Sequence, residues 1–552
     1  LSDVTLPFQQ FFQTRGKPLH LSPLTLSAAV GLFVMLADNA TFWTIGAEVF
    51  SGHMPLLGIF AVALFFLFLA FLALFSFRPI VRPALAIILI LSAVTSFYMD
   101  KLGVFIDREM IQNVVTTTFT ESKHLITLQF ISHVIFFGVL PALALFWVKV
   151  KKQSLLVSLG TPLLVGVVSL ALCLGLLLTN YKAYSAVLRE RKDLMSSFQP
   201  GAPIVGTVRY VKMVTRAANA PIMPLGLDAH KGAAYVQGAK PVLTIIVAGE
   251  TARAENFSLN GYAVDTNPEL AKQPITYFTN VSSCGTATAV SLPCMFSNFT
   301  RKDYSYEKGV SNENLLDVLD HAGFSVTWWD NNTGDKGLAK RQDFRSFEGT
   351  KDAEFCARGE CDDGVFMKPL QNFAASITQD TVLVLHQIGS HGPTYKLRYP
   401  EGFAKFTPDC QTAEFKNCTQ QEIVNAYDNT IAYTDHVLSQ TIDFLTTQTN
   451  LATSLIYVSD HGESLGENGL YLHGAPYFLA PSQQTHVPMV VWMSPSYQKQ
   501  FSIETACLQQ KADQALSHDN LFHSVLGLLD VQTTDYNAAQ DIFATCKTRK
   551  DS

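Results

Sequence analysis

Long apolar runs fill the first third of the chain, and short β-branched runs alternate with polar-faced helical segments in the rest. The apolar runs lie near 24–46, 55–77, 83–100, 126–148 and 155–179. Each approaches the roughly 20 residues a helix needs to cross a hydrocarbon core. Asp100 and Lys101 end the third one early. The first run reads as a span and not as a cleaved leader, because no small-residue cleavage site precedes a soluble domain and further spans follow it.

Basic residues orient these spans. Arg15 and Lys17 lie in the tail, Arg78 and Arg82 in the second loop, and Lys149, Lys151 and Lys152 in the fourth, whereas the loop around Ser51–Pro55 has none. Tail, second loop and fourth loop are therefore expected on the cytoplasmic side. Five spans then export everything after residue 180. The third loop, 101–125, should face the same side as that exported part. A helix over about 104–122 would place Asn113, Thr117 and Glu121 on one face, which by spacing alone reads as a solvated interfacial surface.

Beyond a mixed stretch at 181–240, read as a bridging helix and linker, the period changes. Runs at 242–248, 324–329, 381–386, 453–459 and 487–493 read as strands, with helical segments such as Gln420 to Thr447 between them. This alternation predicts a mostly parallel sheet covered by helices on both faces. The chemistry of such sheets sits beyond the carboxyl ends of the strands. The domain expectation is 1–180 in the membrane, 181–240 as the connection, and 241–552 as the catalytic domain.

Composition sharpens this picture. Charged residues are only 16% and hydrophobic ones 48%, fitting a membrane half joined to a soluble half. A net charge of −6 argues against a nucleic-acid partner. Of nine cysteines, Cys173 lies in an apolar run and reads as a buried free thiol. The other eight follow residue 280, six of them in the close pairs 284/294, 356/361 and 410/418. No C-x-x-C occurs, so disulfides in an oxidising compartment are expected, in agreement with export.

Candidate chemistry collects at strand ends. Glu250 follows the 242–248 run, and Asp460 and His461 follow the 453–459 run. These are suitable zinc ligands. Thr286, in SCGTATAVSLPCMFS near an expected helix start, is taken as the fourth ligand and as a nucleophile whose hydroxyl a metal would activate. His391, His473 and Glu463 fall where a second metal, a phosphate or a leaving-group proton would be handled. Asn332 and Lys336 follow another strand end and read as phosphate contacts. The remaining histidines, His386 among them, read as structural.

The stretches GETARAENFSLNGY, SCGTATAVSLPCMFS, GSHGPTY, AYDNT and SDHGESLGENGLYLHG resemble the lipid A phosphoethanolamine transferases, of the alkaline phosphatase superfamily, along essentially the whole chain. The resemblance implies a five-helix transmembrane domain followed by a periplasmic alkaline-phosphatase-like α/β domain, anchored as a monomer in a Gram-negative inner membrane. It implies Zn2+ on Glu250, Thr286, Asp460 and His461, with Thr286 as nucleophile. His391 and His473 become substrate-side or second-metal residues, with Glu463 nearby. Asn113, Thr117 and Glu121 are implied to bind the lipid donor together with Thr333 and Lys336, against their reading from spacing alone. The family's disulfides correspond to Cys284–Cys294, Cys356–Cys361 and Cys410–Cys418, and parity suggests Cys507–Cys546.

The implied reaction moves phosphoethanolamine from phosphatidylethanolamine to a lipid A phosphate through a phosphoethanolamine–threonine intermediate, which would weaken binding of cationic peptides such as polymyxin. Two rivals remain at this stage. One is a phosphoglycerol or phosphoethanolamine transferase acting on another envelope glycan. The other is a non-catalytic membrane sensor with a degenerate hydrolase domain. A sulfatase activity is disfavoured, since no C/S-x-P-x-R stretch surrounds the nucleophile.

Overall fold

The computed structural model describes residues 19–118, 122–218, 220–356 and 358–548. Arg15, Lys17 and Glu121 lie outside the described residues. The chain forms two compact units, Leu1–Lys101 with Leu128–Ile204, and Leu102–Thr127 with Val205–Ser552. The inter-span loop and part of the expected linker thus belong to the second unit.

In the first unit, four helices among the described residues are long and apolar enough to cross a membrane: Met54–Ala73, Val81–Leu102, Leu128–Trp147 and Leu155–Leu178. The expected first span is present as a bent pair of helices. It breaks into Pro23–Ala37 and Ala40–Val49, bent by 69°, so the total reaches five only if this pair counts as one. The break has an identifiable cause. The Asn39 amide donates to the carbonyls of Val34 (2.9 Å) and Gln199 (3.0 Å), and its oxygen accepts from the Gln199 N–H at 2.7 Å. Such a side chain competes for backbone groups that a continuous helix would keep. Cys173 is a buried free thiol, as expected.

The second unit is built on an eight-stranded sheet. In chain order its strands are β1 (Val242–Gly249), β2 (Thr276–Ser282), β3 (Ser325–Asp330), β4 (Asp343–Ser346), β5 (Thr381–His386), β6 (Ala452–Ser459), β7 (His486–Met493) and β8 (Leu516–Ser517). Their spatial order is β8-β2-β7-β6-β1-β5-β3-β4. Only β7 runs antiparallel to its neighbours, β2 and β6; all other pairs are parallel. The five strands expected from the sequence are all present. β2, β4 and β8 were not anticipated: β2 interleaves Thr, Asn and Ser, and β4 is exposed throughout.

Both faces of the sheet are covered, and β1 shows how. Leu243, Ile245 and Val247 enter one core while Val242, Ile246 and Ala248 enter the other, and the whole strand is buried. The long helix Gln420–Thr446 covers the first face with Ile423, Tyr427, Ile431, Leu438, Ile442 and Leu445, spaced by helical turns. It starts at a capping box in which Thr419 and Glu422 satisfy each other's backbone N–H groups. Burying each such apolar side chain contributes about 1.5–3 kcal/mol. All four expected disulfides are formed, with Cα separations of 6.1 Å for Cys284–Cys294, 4.0 Å for Cys356–Cys361, 5.7 Å for Cys410–Cys418 and 5.5 Å for Cys507–Cys546.

Candidate metal centre

Strand register assembles the site. Gly249 of β1 pairs with Ser459 of β6, so Glu250 and Asp460 leave adjacent strand ends at the same level. Ala248 pairs with His386 of β5, and His386 pairs with Asp330 of β3. Asp330, His386, Glu250 and Asp460 therefore form a row across four carboxyl ends, where a parallel sheet exposes its chemistry. Close approach demands glycine here: a Cβ on Gly389, whose φ is +50°, would lie 2.5 Å from the Glu250 carbonyl. Thr251 holds a φ of 59°, a conformation costing a β-branched residue about 1–3 kcal/mol.

Glu250, Asp460 and His461 are fully buried, and one ligand atom from each lies within 4.8 Å of the others. His461 Nε2 is 3.4 Å from Glu250 Oε1 and 3.4 Å from Asp460 Oδ2. His461 Nδ1 lies 2.9 Å from the Gly462 carbonyl; donating there leaves the Nε2 lone pair facing the carboxylates. Asp460 Oδ1 accepts from the Thr251 and His461 N–H groups, at 3.1 and 2.7 Å, whereas buried Oδ2 has no hydrogen-bond partner. A four-coordinate zinc sets its donor atoms roughly 3.3 Å apart. The triad fits such an ion, and the bare Asp460 oxygen is open to ligate one.

The structure separates two threonines that the sequence did not. Helix formation begins at Thr288, in the helix Thr288–Met295. The Thr288 hydroxyl lies beside the triad, 3.1 Å from each Glu250 oxygen and 3.3 Å from His461 Nε2. Thr286 turns elsewhere: its hydroxyl donates to the Ala475 carbonyl at 2.6 Å, and its own carbonyl accepts from the Gly474 N–H at 2.7 Å. The expectation that Thr286 faces the triad is thus corrected; it anchors the turn that follows His473. The Thr288 turn is held by Ser291, which donates to the Asp460 carbonyl at 2.5 Å, and by the Cys284 N–H, which donates to His518 Nδ1 at 3.0 Å.

A second cluster flanks the triad. Glu463 accepts from the Tyr395 hydroxyl at 2.7 Å and lies 2.8 Å from His473 Nδ1. The His473 ring centre is 4.5 Å from that of His461 and 5.1 Å from that of His391. Burial, against the Tyr395 hydrogen bond, pushes Glu463 up to about 8. Burial and then the Glu250 charge push Asp460 up to about 6. Around Glu250 burial acts upward, but His461, His391, His473 and His386 outweigh it and hold the group at about 2.

The remaining expected residues divide. The Asn332 amide donates to Glu250 Oε2 and to the Gln387 carbonyl, both at 2.8 Å, so its two hydrogens orient a ligand and are not left for a phosphate. Lys336 Nζ donates to the Thr333 hydroxyl (2.5 Å) and to the Thr116 carbonyl (3.3 Å), bringing Thr333 and Lys336 to the inter-span segment. That segment's helix is shorter than expected, Arg108–Thr116, and Thr117 is already extended. Asn113 and Thr117 are therefore not successive turns of one helix. The β-branched run Val114–Thr118 disfavours continuation, and the Thr117 hydroxyl donates to the Asn113 carbonyl at 2.6 Å. Gln112, buried, donates to the Ala289 carbonyl at 2.9 Å and ties this helix to the Thr288 helix. Sequence reading missed Thr288, Gln112 and Asp330; the SCGTAT stretch signalled a threonine without saying which.

Two family descriptions match the chain: "Phosphoethanolamine transferase EptA/EptB" over residues 64–214 and "Sulfatase" over residues 243–531. The chain is 43% identical over 483 residues to phosphoethanolamine transferase EptA of Escherichia coli (strain K12), covering 86% of this chain and 87% of that one. The chain belongs to the phosphoethanolamine transferase family. It is also 38% identical over 525 residues to phosphatidylethanolamine transferase Mcr-1 of Escherichia coli, covering 93% and 95% of the two chains. Its fold matches the integral membrane lipooligosaccharide phosphoethanolamine transferase A of Neisseria meningitidis with a TM-score of 0.92 at 37% identity, over 96% of this chain and 100% of that one. Members of this family, this chain included, are multi-pass inner-membrane proteins with a periplasmic catalytic domain on the alkaline-phosphatase scaffold.

Proposed function

We propose that this protein transfers phosphoethanolamine from phosphatidylethanolamine to a phosphate of lipid A, with Thr288 as the covalent relay. The observation that carries this reading is the Thr288 hydroxyl, 3.1 Å from both Glu250 oxygens and 3.3 Å from His461 Nε2 inside a buried, metal-type cluster. A free threonine hydroxyl is a poor nucleophile at neutral pH. A zinc held by Glu250, Asp460, His461 and Thr288 would stabilise the alkoxide and polarise the phosphoryl group.

The chain's own residues supply the rest. Glu250 accepts the Thr288 hydrogen bond, and Asn332 fixes the Glu250 carboxylate. The Thr288 oxygen, whose proton would be released to solvent when the ion binds, forms a bond to the donor phosphorus as the bond to the diacylglycerol oxygen breaks. That oxygen leaves with a proton from the His473–Glu463 pair, whose side chains lie 2.8 Å apart. A lipid A phosphate oxygen then attacks the same phosphorus, and Thr288 is released. Asn113, Thr117, Thr333 and Lys336 cradle the donor head group. Transfer to lipid A phosphate lowers its negative charge and so weakens attraction of polymyxin-type cations.

The name phosphatidylethanolamine transferase borne by Mcr-1 supports this donor, the lipooligosaccharide in the name of the Neisseria meningitidis protein supports an acceptor of that class, and the intact cluster disfavours a degenerate sensor. Mass spectrometry of lipid A from cells carrying the chain tests it. Wild type and Thr286→Ala should add phosphoethanolamine, the latter at a reduced level, and Thr288→Ala should add none. Unmodified lipid A in wild-type cells, with the modification found on another glycan, would replace the acceptor.

A further inference from the structure

A cavity of about 130 Å3 lies beside the Thr288 helix, inside the catalytic unit. Gly285 and Ala289 line it from either side of Thr288 in the sequence, so the turn that carries the nucleophile forms one wall. Arg108 of the inter-span helix, with Arg301, Tyr304 and Tyr477, forms the others. The Arg301 guanidinium lies over the Tyr477 ring, 4.0 Å from its centre, and the Tyr477 hydroxyl donates to the Ser283 carbonyl at 3.0 Å. Stacking of this kind fixes the plane of a guanidinium and leaves its edge N–H groups able to donate.

Charge and hydrogen bonding both point to an anion. Arg108 is paired with Glu109 at 3.0 Å, whereas the Arg301 guanidinium has no carboxylate partner among the described residues. The Arg301 backbone N–H, and not its side chain, donates to Asp519 Oδ1 at 2.7 Å. The Tyr304 hydroxyl likewise has no hydrogen-bond partner among the described residues. Burial, and then Tyr306, push this phenol up, so it stays protonated and able to donate. A planar N–H fork beside a phenol donor matches the oxygens of a phosphate. The cavity has room for such a group and not for a disaccharide.

We infer that this cavity binds a phosphate of the acceptor lipid, the one that is not receiving the transferred group. The inference rests on the proposed transfer to lipid A, whose disaccharide carries a phosphate at each end. One of these phosphates must reach the phosphorus on Thr288. The other is held by Arg301 and Tyr304 along the same helix, which fixes the acceptor at two points. An unmodified phosphomonoester carries nearly two negative charges at neutral pH. A phosphate that already bears phosphoethanolamine is larger and carries an added ammonium group, so it enters less well and the first transfer outpaces the second.

Full-length enzyme in detergent, with phosphatidylethanolamine as donor and either bisphosphorylated or monophosphorylated lipid A as acceptor, tests it by mass spectrometry of the products over time. Wild type should show a KM at least tenfold lower for the bisphosphorylated acceptor. Arg301→Gln should raise that KM about tenfold, to the monophosphorylated level, while phosphoethanolamine still loads onto Thr288 at the wild-type rate. Arg301→Lys, which keeps the charge and loses the fork, should recover part of the difference. Tyr304→Phe should raise the same KM a few-fold. Equal KM values for the two acceptors in wild type, or an Arg301→Gln enzyme that keeps their difference, would overturn the inference. So would slowed loading of Thr288 in Arg301→Gln, which would place the donor phosphate here. Should Arg301→Gln lose its fold by circular dichroism, Tyr304→Phe decides by the same criteria. A wild type that loads Thr288 but modifies neither lipid A would instead strike the proposed acceptor, and this inference with it.

Discussion

The membrane unit turns its apolar side chains outward, with Leu156 86% and Leu163 71% exposed, and its long spans are held by contacts among Leu, Phe and Val. The catalytic unit does the opposite. It buries Glu250, Asp460, His461, Asp330 and His386 at the ends of its central strands. One unit matches an apolar solvent; the other concentrates charge that must be compensated inside. The contrast teaches where each unit is fragile. Substitutions in the spans change packing by small increments, while loss of one buried ionic partner in the catalytic unit leaves the rest uncompensated.

Removing a ligand should have the largest effect. Asp460→Ala or His461→Ala is expected to lower zinc content and to cut transfer by more than about 100-fold, read by elemental analysis and lipid mass spectrometry. Retained metal in both variants would break the contrast.

Next comes the ion-pair chain behind His391. The buried Arg398 donates to the His391 carbonyl at 2.9 Å and to Glu360 at 2.7 Å, and Glu360 lies 2.5 Å from His124 Nε2. Glu360→Gln should destabilise the catalytic unit by about 3 kcal/mol in thermal unfolding, with zinc content unchanged.

Acid should act on the catalytic unit through His518. Burial, against its Ser459 hydrogen bond, pushes this histidine down to about 4 from 6.5. A lowered histidine contributes stability above about 6.5 that is lost as pH falls toward 4, up to about 3 kcal/mol. His518→Asn, whose carbonyl can still accept from the Cys284 N–H, should flatten that limb of the pH–stability profile.

The cysteines give the smallest and cleanest contrast. Cys294→Ala opens the bridge that brackets Thr288 and should cost about 2 kcal/mol and more activity than Cys418→Ala. Cys173→Ala, in the membrane unit, should stay within about 1 kcal/mol. Thiol labelling of the denatured, unreduced protein should reach Cys173 and few others.

Much of this was legible in the sequence because it rests on local composition. Span lengths, the β-branched strands and the acidic residues after them follow from patterns of a few residues. What was not legible depends on direction. The first span breaks because Asn39 reaches Gln199, a partner 160 residues away. Thr286 and Thr288 differ only in which carries its hydroxyl to Glu250, and that is set by where the helix starts and by Ser291 reaching the Asp460 carbonyl. His386 reads as an ordinary strand end until register sets it between Asp330 and Glu250.

The central claim is that Thr288 carries the phosphoethanolamine group. It is tested most directly by incubating the enzyme with phosphatidylethanolamine, quenching, and fragmenting the peptide that contains SCGTATAV. One phosphoethanolamine on Thr288 is expected, absent from Thr288→Ala and still present in Thr286→Ala. An adduct on Thr286 or another residue, or full lipid transfer by Thr288→Ala, would contradict it.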